Sequence, residues 1–287
     1  MQKQKSKKYK SRNINSKHMK NPIITLTTDF GLKDPYVAEM KAVILNIKPD
    51  VRIVDLTHEI EKFNVKMGGY VLASAAPYFP KDTIHVVVVD PGVGTKRKPI
   101  IIKTKKAYYI GPDNGILILA ARKQGITSIY EISNRKLMLP RVSNTFHGRD
   151  IFAPAAAHLA KGVELSEFGP EIHEFTIPEF AKILRRKNKV VGEILHVDGF
   201  GNIITNFRGK ELLKIGDVVC MELKDRQMKM KVCASYADVK PGEPLAIIGS
   251  HDFLEISINQ GNASEEFSVK AGDRITIYRS CSNPEVD

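Results

Sequence analysis

Three stretches of the sequence deliver side chains capable of ionic or acid–base chemistry to the point where a loop leaves a regular element. The first is His85 to Arg97, HVVVVDPGVGTKR. No polar residue alternates with Val86 to Val89, so they read as a strand buried on both faces. That strand releases Asp90 into a Pro/Gly turn, which runs on to Thr95, Lys96 and Arg97. The second, IITLTTDFG, releases Asp29 at the end of a β-branched run. The third, TFHGRD, sets His147 ahead of Gly148 at a loop-to-helix junction, free to project into a cleft. Carboxylates at the carboxyl ends of strands are how open α/β sheets present chemistry, and glycines let a ligand approach the backbone closely. Each stretch also admits a plainer account. Asp90 fits a solvated residue in a tight turn, and His147 a local packing residue beside an Arg149–Asp150 surface ion pair. Two carboxylates at strand ends in one sheet weigh more than either alone.

The elements that must position these groups follow in chain order. Residues 23–28 read as a strand. Asp34 and Pro35 read as the N-cap and first residue of a helix with Tyr36, Met40, Val43, Ile44 and Ile47 at helical spacing. Residues 51–56 read as a strand, 65–76 as a helix closed by Pro77 and Pro80, and 99–110 as a hairpin turning at Lys105 and Lys106. A helix over 116–121, a strand over 126–132 and an alanine-rich helix ending near Lys161 come next. The strand–helix–strand–helix–strand order predicts a mainly parallel sheet covered by helices. Residues 162–188 have weak periodicity and read as a linker. Seven short strands then follow, with a DGFGN turn at 198–202 between the first two, and predict a small β-barrel. The expected fold class is therefore α/β, with an amino-terminal α/β domain and a smaller carboxy-terminal all-β barrel. The expected division is a basic arm over 1–21, an α/β catalytic domain over 22–188 ending in the linker, a barrel over 189–279 and a tail over 280–287.

Composition sets bounds on partners. Lys3, Lys5, Lys7, Lys8, Lys10, Arg12, Lys17 and Lys20 stand in an arm without acids, and removing them reduces the net charge from +12 to +4. The arm has too few apolar residues to fold, and nucleic-acid contact is expected at most as non-specific attraction through it. Met19 is an alternative start. No apolar run reaches the length of a membrane span, and a cytoplasmic protein is expected. Cys220, Cys233 and Cys281 form no CxxC pair and are expected as free thiols, with neither a metal site nor a disulfide framework. No P-loop, GxSxG, HExxH or GxGxxG occurs, which disfavours a cofactor held by its phosphates; no cofactor is expected.

TLTTDFG, VDPGVGT, GPDNG, FHGRDIFAPAA, DGFGNIITN and SHDFLEISIN occur in this order. Together they resemble the S-adenosylmethionine hydroxide adenosyltransferase family, the S-adenosylmethionine hydrolases related to fluorinases and chlorinases. The resemblance runs from about Ile23 to Ile277. It implies hydrolysis of S-adenosylmethionine to adenosine and L-methionine in a homotrimer, at a site between one subunit's α/β domain and its neighbour's barrel. An Asp-Arg-His triad carries over onto Asp90, Arg97 and His147. Arg97 would lower the pKa of a bound water, His147 would orient that water or accept its proton, and Asp90 would fix the geometry.

The same resemblance assigns substrate contacts. Asp29 corresponds to the acceptor for the ribose hydroxyls, and Asp198 and Ser250 to positions at the methionine end. Asn202 can read the adenine edge through donor and acceptor, and Phe200 can stack on the base. Glu255 and the backbone near Ile258 fall at further binding positions, whereas Asp34 could meet the methionine ammonium but reads first as a helix cap. A halide-using adenosyl transferase is the poorer reading, because fluorinase-like members lack the triad and carry small hydroxyl residues around the halide, where Gly148 follows His147 here. A non-catalytic binder of S-adenosylmethionine or a nucleoside is the alternative from another class.

Overall fold

The valine run fixes the centre of the fold because both of its faces need apolar cover. In the computed structural model, which describes residues 22–209, 217–224 and 226–278, that cover is complete. Val86 and Val88 pack into one apolar cluster with Ile24, Leu26, Met40 and Phe152, and Val87 and Val89 into another with Leu72, Ile116 and Ile118. The strand β3 is Thr83–Val88, beginning before the valines; Val89 lies just beyond it and is fully buried. His85 in the same strand shares a hydrogen bond with Thr25 and stacks on Tyr109, and burial pushes its pKa down to about 3. It is a neutral core residue.

Around β3 the chain builds β1 (Ile23–Thr28), α1 (Tyr36–Ile47), β2 (Arg52–Thr57) and α2 (Val65–Ala75) before it, and β4 (Pro99–Thr104), β5 (Ala107–Pro112), α3 (Ile118–Gln124) and β6 (Ile126–Glu131) after it. The sheet order is β2-β1-β3-β5-β4-β6. The pairs β1–β2, β1–β3 and β3–β5 are parallel, and the β4–β5 hairpin and β4–β6 are antiparallel. From β1 the chain crosses to β2 on one side and then to β3 on the other. The carboxyl ends of β1 and β3 therefore flank the point where connections diverge, the place an open sheet leaves a crevice. Asp29 and Asp90 follow those two ends.

Local details differ from the sequence expectation for identifiable reasons. Pro35, in helical backbone conformation, is the N-cap of α1, and no side chain caps it, so Asp34 is not a helix cap. The helix expected from Ile116 starts two residues later. Asn114 accepts a hydrogen bond from the Ile116 N–H, and the Ile118 N–H reaches the Gly115 carbonyl, which spends 115–117 on a turn. Before α4 (Ala153–Ala160) stands a π-helical turn, Gly148–Phe152, that periodicity did not indicate.

The second sheet is a ring. Strands β8 (Lys189–Val197), β9 (Ile203–Arg208), β10 (Val218–Leu223), β11 (Arg226–Cys233), β12 (Pro244–Ile248), β13 (Phe253–Ile258) and β14 (Arg274–Tyr278) pair in the order β14-β10-β11-β12-β13-β9-β8, and β14 pairs back onto β8 to close the barrel. The two-residue β7 (Leu184–Arg185) lies outside it on β8, and a short helix α5 (Ala263–Glu266) follows β13. Cys233 is a buried free thiol, but Cys220 is disulfide-bonded, which corrects the expectation for that residue. The expectations for residues 1–21 and 280–287 lie outside the described residues.

Candidate active site

The loop that carries Asp90 and Arg97 is tied at both ends by GPDNG. Asn114 donates through Nδ2 to the Val89 carbonyl at 2.8 Å, and the Asp113 N–H donates to the Lys98 carbonyl at 2.8 Å. Gly94, at φ 77°, brings this loop against the chain ahead of His147; a Cβ there would sit 2.4 Å from the Asn144 carbonyl oxygen. Gly94→Ala is expected to cut turnover more than about tenfold and lower Tm by several degrees, since a left-handed residue with a Cβ costs about 1–2 kcal/mol before any clash. Activity assays and thermal melts check this.

Within the loop, Arg97 clasps Asp90 with the Nε–Nη2 edge of its guanidinium. Nε lies 3.1 and 3.0 Å from the carboxylate oxygens, and Nη2 also donates to Oδ2. The same Nη2 donates to His147 Nδ1 at 2.7 Å, and the guanidinium lies 5.4 Å from the Phe152 ring centroid. Asp90, Arg97 and His147 thus form one hydrogen-bonded unit. Because arginine only donates, His147 Nδ1 must accept, which assigns the neutral ring with its proton on Nε2. Burial and the Arg97 charge hold the His147 pKa below its ordinary value, against the opposing pull of Asp90, Asp150 and the Ser143 carbonyl. Asp150 is fully buried, accepts from the Ser143 N–H at 2.8 Å and is paired with Arg149, so the Arg149–Asp150 pair is not a surface one.

A cavity of about 360 Å³ opens against this unit. Its wall includes Asp29, Asp34, Asp90, His147 and Gly148, while Arg97 stands behind them with its side chain 9% exposed. Asp29 is held in place by the segment after β2: Phe63 N–H donates to Oδ2 at 2.9 Å and Lys62 Nζ to the Asp29 carbonyl. His58 fixes the turn from below, its carbonyl taking the Gly31 N–H at 2.8 Å and its Nδ1 sharing a 2.9 Å hydrogen bond with Thr28.

The expected barrel residues lie elsewhere. Phe200, Asn202 and Ile258 line a second hollow with Tyr236, and none of them lines the Asp90 cavity. Phe200 is 82% exposed. Both Asp198 oxygens are occupied within the turn, Oδ1 by the Phe200 and Asn202 N–H groups and Oδ2 by Asn202 Nδ2, all at 2.9 Å. One Asn202 donor is thereby committed, leaving its carbonyl and second N–H. Glu255 is buried and accepts from Tyr236 Oη and from Ser257 Oγ at 2.9 Å. Ser250 is exposed, its carbonyl 3.3 Å from Tyr78 Oη. One chain therefore brings Asp29, Asp34, Asp90, Arg97 and His147 together and leaves Phe200, Asn202 and Ile258 on a separate face.

Sequence reasoning missed Phe30, Tyr36, Lys62, Phe63 and Phe146, which also line the cavity. Phe63, 68% exposed at a φ of 66°, carried no spacing signal; Tyr36 and Phe30 were read only as helix and motif residues. Among the described residues, no group of three or more His, Cys, Asp or Glu is arranged to hold a metal, and no helix is long and apolar enough to cross a membrane.

Comparison with known proteins matches residues 24–169 to the model of the SAM hydroxide adenosyltransferase N-terminal domain, and residues 192–276 to that of the C-terminal domain. The (R)-S-adenosyl-L-methionine hydrolase of Methanocaldococcus jannaschii is 41% identical over 266 residues, covering 89% of this chain and 95% of that protein. A fluorinase of an Actinoplanes species is 28% identical over 90% or more of both chains, 91% here and 98% there. The crystal structure of a conserved uncharacterized protein from Thermotoga maritima superposes with a TM-score of 0.80 at 44% identity, covering 88% of this chain and 99% of that one.

Proposed function

The chain belongs to the SAM hydroxide adenosyltransferase family, and from that premise we propose that it is a hydrolase converting (R)-S-adenosyl-L-methionine and water to adenosine and L-methionine. The observation that carries the reading is the Asp90–Arg97–His147 unit on the wall of a cavity that also holds Asp29. Water attacks the ribose 5′ carbon opposite the C–S bond; the C–O bond forms, the sulfur takes the C–S electron pair, and methionine leaves as a neutral thioether. No acid or Lewis acid is needed for that leaving group, so the proposal includes turnover without a metal or cofactor.

The difficulty lies with the nucleophile. With Nδ1 accepting from Arg97, His147 offers Nε2–H to the water oxygen and orients it, instead of taking its proton. The proton goes to the Asp90 carboxylate on the same wall. Arg97 is neutralised by Asp90, so its field on the water is that of a pair and falls off quickly; its work is to hold Asp90 and His147 in register. Asp29 accepts from the ribose hydroxyls. Asp198, Phe200, Asn202, Ser250, Glu255 and Ile258 serve the adenine and methionine ends from the barrel. Phe200, Asn202 and Ile258 line a hollow apart from the Asp90 cavity, which supports an assembly, a homotrimer by the family resemblance, in which a neighbouring copy's barrel completes each site.

Purified protein incubated in chelator with each sulfonium epimer tests the reading. Adenosine and methionine in equal amounts are expected, with the (R) epimer consumed at least about tenfold faster than the (S). Binding without products would leave only a binder. A 5′-halo-adenosine formed on adding chloride or fluoride would favour the transferase, which Gly148 beside His147 argues against.

A further inference from the structure

Three aromatic rings stand together on the cavity wall beside the carboxylates, and the steps above give them no work. Phe30 and Tyr36 have ring centroids 5.8 Å apart at 60°, Phe30 and Phe146 5.7 Å apart at 76°, and Tyr36 and Phe146 5.2 Å apart at 82°. Three rings at steep mutual angles make a corner. All three line the cavity, and Tyr36 is 45% exposed although it is large and mostly apolar. Gly148 leaves room for Phe146, since a Cβ there would come within 3.3 Å of its ring and 3.2 Å of Met40 Sδ. Asp29, Asp34 and Asp90 share the wall. Packing alone does not call for aromatic rings at a half-open edge; leucine would fill the same space.

We propose that Phe30 and Tyr36, backed by Phe146, form the subsite for the sulfonium centre of the substrate and set the preference for a cation at that position. The proposal rests on the hydrolase reading. A ring face attracts a cation through its quadrupole, an attraction that strengthens as water is excluded, and nearby carboxylates add to the same field. Phe146 plays the lesser part, because the protein's own Arg149 already lies 4.9 Å from its ring centroid. Chemistry then makes the subsite selective in time. The sulfonium loses its charge as the C–S bond breaks, so the rings hold the substrate more strongly than the transition state or the thioether product. Their energy goes into affinity and into letting methionine go, not into the chemical step.

The test compares KM for S-adenosylmethionine with Ki for S-adenosylhomocysteine, its neutral thioether analogue, in the wild type and in Phe30→Leu, Tyr36→Leu and Tyr36→Phe. The leucine variants are expected to raise KM about tenfold, to leave the Ki of the neutral analogue within about threefold, and to leave kcat unlowered. Tyr36→Phe should keep the wild-type ratio. Equal losses for charged and neutral ligands, or an unchanged ratio, would overturn the subsite while the hydrolase stands. A wild type that neither binds nor cleaves S-adenosylmethionine would overturn both.

Discussion

Asp90→Asn, Arg97→Ala and His147→Ala are each expected to lower kcat by about a hundred- to ten-thousand-fold, and any two combined by little more than one alone. The non-additivity follows from the geometry. One guanidinium holds both the carboxylate and the imidazole, so losing Arg97 releases the other two, and losing either of them frees the guanidinium that positions its partner. Arg97→Lys should fail to restore activity, because an ammonium cannot reproduce two fork contacts to Asp90 and reach Nδ1 as well. Arg97→Ala carries a second penalty of about 3–5 kcal/mol in stability, since it leaves the Asp90 side chain, 5% exposed, without its counter-charge. Single-turnover assays and denaturant melts separate the two effects. The pH profile has a definite sign. Protonating His147 at Nδ1 destroys its acceptor role toward Arg97 and sets two cations together, so turnover should fall as pH drops. The fall should come below the ordinary histidine value of 6.5, because burial and Arg97 lower that pKa. A profile that falls on the alkaline side instead, or triad variants whose losses multiply, would remove the unit from the mechanism.

The sequence made the sheet legible because Val86 to Val89, three of them in β3, show no polar alternation, and the carboxylates legible because Asp90 closes that run and Asp29 a β-branched one. What it could not convey is adjacency. That β1 and β3 are neighbours, with Asp29 and Asp90 flanking the divergence of their connections, depends on pairing across residues far apart in the chain. Arg97 reaching His147 spans fifty residues and rests on Gly94 meeting the Asn144 carbonyl, a contact that no local pattern encodes. The aromatic corner was hidden for a related reason. Tyr36 falls at helical spacing with Met40 and so reads as core, yet as the first residue of α1 it points to the cavity while Met40 is fully buried. The same local logic makes Asp34 read as a cap, because an aspartate ahead of Pro35 is the usual sign of one, whereas its side chain stands on the cavity wall. The DGFGN turn was recognised as a turn, but only its hydrogen bonds reveal that Asp198 spends both oxygens holding it together.

Mixing two inactive variants is expected to restore activity. Asp90→Ala disables the α/β half of a site, and Phe200→Ala with Asn202→Ala disables the barrel half, so each preparation alone should be nearly silent. Phe200, 82% exposed on a hollow that shares no residue with the Asp90 cavity, has no ligand to stack on within its own chain's α/β site. If each site joins the α/β half of one copy to the barrel of the next, random reassembly of equal amounts leaves about one site in four with both halves intact. Co-expressed or co-refolded mixtures should therefore recover about a quarter of wild-type turnover, and simple mixing without subunit exchange should recover none. Sites contained within single chains would give no recovery under either protocol, because every chain would carry one damaged half. The measurement thus reports where the substrate lies, and the number of copies comes from the mass of the assembly. A trimer by mass with no recovered activity would keep the assembly and reject the shared site.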